Sequence, residues 1–139
     1  MADRAQVVAS ARGLVGARWR HQGRSARGVD CVGLVVLVCR ELGLSGYDSV
    51  AYGRDPDPRR FLGHFTDGGA IRINPRDAQD GDIILFHQQG YPCHVGLRTT
   101  RDGAPWVVHA TLARGRVVEE PMTSQAPVAA AYRLPGVEA

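Results

Sequence analysis

Lysine is absent: all seventeen basic residues of this 139-residue sequence are arginine, against fourteen acidic residues, for a net charge of +3. The arginines are scattered rather than gathered into a stripe with aromatics, and aromatics themselves make up only 6%. A nucleic-acid footprint needs clustered base and ring, so no direct nucleic-acid partner is predicted. Cysteine is scarce as well. Cys31, Cys39 and Cys93 are odd in number and contain no C-x-x-C pair, which furnishes neither a disulfide framework nor a zinc ribbon. No apolar run approaches the roughly 18 residues that span a bilayer; the longest, Val32 to Cys39, is interrupted by Gly33. No apolar stretch of signal-peptide type follows Met1-Ala2-Asp3-Arg4. The expectation is a protein made in the cytoplasm and, if it works elsewhere, taken there by something other than its own leader. Repeats, low-complexity tracts and flexible linkers are also missing. With 44% hydrophobic and 22% charged residues, residues 1–139 are read as one globular domain.

The periodicity changes character near residue 75. Before it, apolar residues recur at helical spacing. Val7, Val8, Ala11, Leu14 and Val15 predict a helix from about Asp3 to Val15, with Gly16 as a stop. An Arg- and Gly-rich loop follows. A second helix is predicted from Asp30 or Cys31 to Leu42, apolar nearly all round and therefore buried, with Gly43 closing it. Asp57-Pro58 marks a third start, with Phe61, Leu62 and Phe65 facing inward and Gly68-Gly69 at the end. After residue 80 five strands are predicted: Asp82–His87, Cys93–Thr99, Trp106–Leu112, Arg116–Glu120 and Val128–Leu134. Turns at Gln89-Gly90, Asp102-Gly103 and Arg114-Gly115 suit an antiparallel meander. Helices first and a sheet afterwards make an α+β fold.

Cys31 stands out. It follows Asp30 at a helix start, where unpaired N–H groups and the positive dipole end favour a thiolate, so a thiol pKa below the free value of about 8.5 is expected. Cys39, mid-helix among valines, is a small core residue. A cysteine nucleophile needs a base and a group that holds the base. His94 and His109 lie in adjacent predicted strands joined by Asp102-Gly103, and pairing those strands can bring both imidazoles to one face, with Cys93 on the other. His64 and His87 receive no role. Zinc held by Cys31, His94 and His109 is the competing reading; it lacks the short paired spacings that pre-form a site. No cofactor and no metal are predicted.

Four segments in order carry a family resemblance. Asp30-Cys31-Val32-Gly33-Leu34-Val35 resembles the nucleophile motif of the NlpC-type cell-wall endopeptidases, papain-like cysteine peptidases. Gly81-Asp82-Ile83-Ile84-Leu85-Phe86 resembles their first barrel strand, Cys93-His94-Val95-Gly96-Leu97 their histidine motif, and Val107-Val108-His109-Ala110 their third-residue strand. The resemblance implies a papain-like α+β fold, with N-terminal helices packed on a C-terminal five- to six-stranded antiparallel sheet, open and barrel-like. It implies Cys31 as nucleophile, His94 as general base and His109 as the residue orienting the imidazole, with Asp30 and Trp19 at the substrate and the Cys31 N–H as an oxyanion donor. The implied substrate is the peptidoglycan stem peptide, cut between D-glutamate and diaminopimelate. Trp19 stands where many members carry a Tyr, and Val32 where many carry a Ser. Trp19-Arg20-His21-Gln22-Gly23 ahead of the nucleophile is similar to the subset encoded with phage tails and gene transfer agents. That implies tail hub or baseplate partners and action at the target cell's periplasm or wall. The alternative is a structural tail-tip or adaptor protein that keeps the fold without the chemistry.

Overall fold

A computed structural model describes residues 2–44, 48, 58–88 and 91–137, with side chains except at 58–62, 88 and 91–93. Helix α1 (Arg4–Gly13) starts at Asp3, whose carboxylate accepts from the Gln6 N–H while the Gln6 side chain accepts from the Asp3 N–H, a reciprocal cap. It ends two residues before the predicted Val15, because the chain turns at Gly16, whose N–H bonds the Val117 carbonyl. A short hairpin follows, β1 (Arg24–Ser25) with β2 (Gly28–Val29), inside the segment expected to be irregular.

Helix α2 (Cys31–Leu42) has the predicted limits. Asp30 Oδ1 accepts from the Gly33 N–H at 2.8 Å, and Gly43 closes the helix at φ +67°, a left-handed conformation that a Cβ disfavours. Val32, Leu34, Val35, Val36, Val38 and Cys39 are buried, each large apolar side chain contributing about 1.5–3 kcal/mol relative to exposure. Helix α3 (Pro58–Asp67) places Phe65 against Tyr132, ring centroids 5.6 Å apart. The predicted Asp57 cap, the inward faces of Phe61 and Leu62, and the Gln89-Gly90 turn lie outside the described residues and side chains.

The sheet has six antiparallel strands in the order β3-β8-β4-β5-β6-β7: β3 (Ile71–Ile73), β4 (Ile83–Gln88), β5 (Tyr91–Arg101), β6 (Ala104–Thr111), β7 (Arg116–Pro121) and β8 (Val128–Arg133). It is open, not a closed barrel, and the helices pack on it. The expected meander holds for β4 to β7 and fails at β8, which returns to pair with β4. The reason lies in β4: Ile83, Ile84, Leu85 and Phe86 are all buried, so the strand's backbone N–H and C=O groups are out of reach of water and need partner strands on both edges. Strand β3, with only three residues and an exposed Arg72, was not predicted. Ile83, Leu85, Val95, Leu97, Val108 and Ala110 face the helices in one core, whereas Ile84, Phe86, Val107 and Ala131 pack on the opposite face.

Candidate active site

Strand alternation sets the site. His94 pairs with Phe86 across β4–β5 and shares its face; His109 lies on the same face of the sheet, between Val108 and Ala110, which point to the helix side. The two rings meet with His94 Nε2 2.8 Å from His109 Nδ1, above Phe86 at centroid distances of 5.9 and 6.4 Å. Gly96 makes this possible. A Cβ there would lie 2.9 Å from the His109 Cβ and 2.4 Å from a Val107 methyl, so glycine lets β6 press its histidine toward β5.

Cys31 approaches from the other side. Strands β5 and β6 pair from Arg101↔Ala104 to Leu97↔Val108; α2, which begins at Cys31, packs against β5, and the backbone N–H groups of Val95, Val32 and Cys31 itself favour the ionised form of the thiol. Among the described residues no hydrogen bond joins the sulfur to the His94 ring, and the His94 nitrogen engaged by His109 is Nε2. The side chain of Cys93 lies outside those described.

Electrostatics correct one expectation. Desolvation, with the negative charge of Asp30 behind it, pushes the Cys31 thiol up to about 12, and the three N–H donors only partly oppose this. The helix start was expected to lower the thiol; burial outweighs it, and the resting group is a neutral thiol. Burial, helped by the neighbouring His109, holds His94 down at about 3 in spite of Glu120. Burial also lowers His109, opposed by its hydrogen bond to Glu120.

Glu120 and Arg114 went unnoticed in the sequence. His109 Nε2 lies 2.9 Å from Glu120 Oε1, and Arg114 reaches Glu120 Oε2 at 3.0 Å. Burial raises the Glu120 carboxyl, but the hydrogen bonds from His109 and Arg114 outweigh it and hold the group below the usual range. The signal was available in the strand alternation of Glu119 and Glu120. Glu119 goes to Arg12, Thr99 and Arg101; its neighbour must face the other way.

Asp30 is buried, and its oxygens are engaged within the chain. Oδ1 accepts from Gly33 N–H and from Arg24 at 3.2 Å, and Oδ2 from Gln22 N–H at 2.8 Å. Arg24 continues to Asp48 and thence to Arg40. This ties the preceding loop to the start of α2, where a Cβ on Gly33 would lie 2.1 Å from the Gly23 carbonyl. Asp30→Ala strips two backbone N–H groups and one buried guanidinium of their acceptor. It is expected to destabilise the fold by about 2–4 kcal/mol, read as the denaturant midpoint. Trp19 is half-buried, stacked on His21 with centroids 6.4 Å apart, and its backbone N–H bonds the Gly115 carbonyl. It therefore stands beside the turn that carries Arg114.

The histidines also set an acid limit on stability. Unfolded, both rings take up protons near pH 6.5; folded, His94 does so only at about 3 and His109 is lowered as well. Acid thus favours the unfolded state. Stability is expected to fall below pH 6.5 by up to about 1.4 kcal/mol per pH unit from His94 alone. Denaturant midpoints between pH 7 and 5 measure this, and His94→Gln should flatten the slope.

No group of three or more His, Cys, Asp or Glu side chains among the described residues is arranged to hold a metal ion, and no described helix is long and apolar enough to cross a membrane.

The model of the NlpC/P60 family matches residues 16–133 of the sequence. No protein of curated function matches. Among solved structures, the NlpC/p60 domain of the peptidoglycan hydrolase SagA aligns with a TM-score of 0.68 at 18% identity, over 96% of this chain and 100% of that one. An NlpC/P60 family protein from Bacillus cereus aligns at 0.68 and 21% identity, over 95% of this chain and 40% of that one. An N-acetylmuramoyl-L-alanine amidase from Bacteroides uniformis aligns at 0.68 and 12% identity, over 95% and 98%. The chain thus spans all of the first and less than half of the second. At these identities the likeness is one of fold, the papain-like packing of a few helices on an open antiparallel sheet.

Proposed function

The chain belongs to the NlpC/P60 family, and from that premise we propose that it is a cysteine peptidase hydrolysing peptide bonds in peptidoglycan stem peptides. The observation that carries this reading is a pair of imidazoles on one sheet face, His94 Nε2 2.8 Å from His109 Nδ1, on the sheet against which the helix that begins at Cys31 packs through β5, the strand of His94. Cys31 is the nucleophile, His94 the general base and His109 the orienting residue. Because His94 Nε2 is taken up by His109, Nδ1 is the nitrogen that receives the thiol proton.

Starting from a neutral thiol and a neutral imidazole, the proton moves to His94 Nδ1 as the sulfur attacks the scissile carbonyl. The new C–S bond leaves a negative oxygen, for which the Cys31 N–H is the donor in our reading. Collapse breaks the C–N bond, and the imidazolium gives its proton to the leaving amine. Water, deprotonated by the same nitrogen, then hydrolyses the thioester and restores the thiol. A resting sulfur–imidazole contact longer than the reacting one is common in unliganded sites of this kind.

Within the same reading, residues 1–139 act as one domain and the bond cut is the one between D-glutamate and diaminopimelate. Trp19 lines the substrate cleft. Asp30, expected to touch substrate, we assign instead to holding the loop and helix start. The chain is carried by a phage-like or gene-transfer-agent tail, docked to hub or baseplate proteins, and acts on the target cell's wall. The resemblance of residues 19–23 supports the last step. Digestion of purified peptidoglycan, with the products weighed by mass spectrometry, tests the proposal. A new amino terminus on diaminopimelate is expected. Release of free stem peptide from muramic acid would make the chain an amidase, and no soluble product would favour the structural tail-tip reading, to which the high pKa of the Cys31 thiol lends weight.

A further inference from the structure

We propose that Glu120 is a fourth, positioning member of this site: through His109 it fixes which nitrogen of each imidazole carries hydrogen and so keeps His94 Nδ1 bare. The inference rests on the peptidase reading and deepens it. A carboxylate only accepts hydrogen bonds, so at 2.9 Å from Glu120 Oε1 the His109 Nε2 must be the N–H. A neutral imidazole carries one hydrogen, which leaves His109 Nδ1 an acceptor. At 2.8 Å from it, His94 Nε2 must therefore be an N–H. His94 Nδ1 then holds a lone pair and can take the thiol proton. With the opposite tautomer at His109 the order reverses, and His94 Nδ1 would carry a hydrogen and be useless as a base. A single carboxylate thus sets two tautomers across β7, β6 and β5.

Glu120 is placed for this. Its second oxygen is held by Arg114 at 3.0 Å and its carboxylate is only 19% exposed, whereas His109 is nearly fully buried. Glu119, next in the chain, is committed to Arg12, Arg101 and Thr99 and cannot substitute. The charged and titratable groups acting on the rings are Glu120 on β7, which favours the charged form of both, Arg114 in the β6–β7 turn, which opposes it at His109, and His109, which opposes it at His94. When His94 becomes imidazolium during the reaction, the Glu120 charge also stabilises it.

The test uses the full chain with 15N-labelled histidine, long-range 1H–15N correlation at pH 7, and kinetics on purified peptidoglycan. Wild type is expected to show Nε2–H tautomers at both His94 and His109. Glu120→Ala should mix them, lower kcat by about 30-fold with KM within about twofold, and move the acid limb of the pH–rate profile to lower pH. Glu120→Gln keeps a carbonyl acceptor without the charge. It should retain the tautomers and recover most of kcat while still moving the acid limb, and as a near-isostere it remains informative should the alanine variant fold poorly. Unchanged tautomers and acid limb in both variants would overturn the proposal even if wall cleavage is robust and dependent on Cys31. Conversely, tautomers that depend on Glu120 in a wild type that cleaves no peptidoglycan would uphold the relay and defeat the peptidase reading.

Discussion

Cys31→Ala is expected to lower peptidoglycan hydrolysis by the full chain at least about 10⁴-fold, because no other group can form the thioester. The residue is half-buried at the edge of the core, with its sulfur desolvated against it, and an alanine there removes one atom and leaves the helix start in place. The variant should therefore keep a near-native melting temperature, which circular dichroism checks on the same sample used for muropeptide analysis. Cys31→Ser is expected to be similarly inactive. Its hydroxyl is a far weaker acid than a thiol, and a base held down at about 3 has little drive to deprotonate it. Cys39 provides the control. It sits eight residues on in the buried face of α2, so Cys39→Ala should lose about 1 kcal/mol of stability and keep full activity. Cleavage that survives in Cys31→Ala would remove the cysteine from the mechanism.

The sequence was legible where local chemistry and global packing agree. Asp30 and Gly43 bracket a run of valines and leucines, and α2 begins and ends where those residues dictate. Asp102 and Gly103, both at positive φ, join β5 to β6 as a two-residue turn requires. This register brings His94 and His109 together. What stayed hidden depends on contacts distant in the chain. The return of β8 to β4 is written only in the unbroken apolar run Ile83–Phe86, which reads equally well as one strand of a meander until both of its faces are seen to be covered. Glu120 was lost among fourteen acidic residues because its role follows from register, not composition. The state of Cys31 was misread for a different reason. A helix start is visible in sequence, but the desolvation that opposes it is a property of the assembled cleft.

Gly96→Ala is expected to be the most damaging substitution of a residue that makes no polar contact in the site. The added Cβ would fall 2.4 Å from a Val107 methyl, 2.9 Å from the His109 Cβ and 2.9 Å from the Val108 carbonyl oxygen. The methyl can rotate away, but the carbonyl and the His109 Cβ belong to the β6 backbone and its first side-chain atom, so relief requires β5 and β6 to separate. Overpacking of this kind costs about 1–3 kcal/mol, which a chain of this size can survive. The site cannot absorb it as easily, because the bond between His94 and His109 joins the same two strands at 2.8 Å and a shift of about one ångström at β6 carries it beyond hydrogen-bonding distance. With His109 displaced, His94 loses both its orientation and its link to Glu120. A drop in kcat of about 100-fold is expected at temperatures well below the variant's melting point. The two effects separate in one experiment. If the melting temperature falls but activity at low temperature stays within a few-fold of wild type, Gly96 serves packing alone. If kcat collapses while the protein remains folded, the absence of a side chain at position 96 is what lets two strands of a sheet act as one catalytic surface.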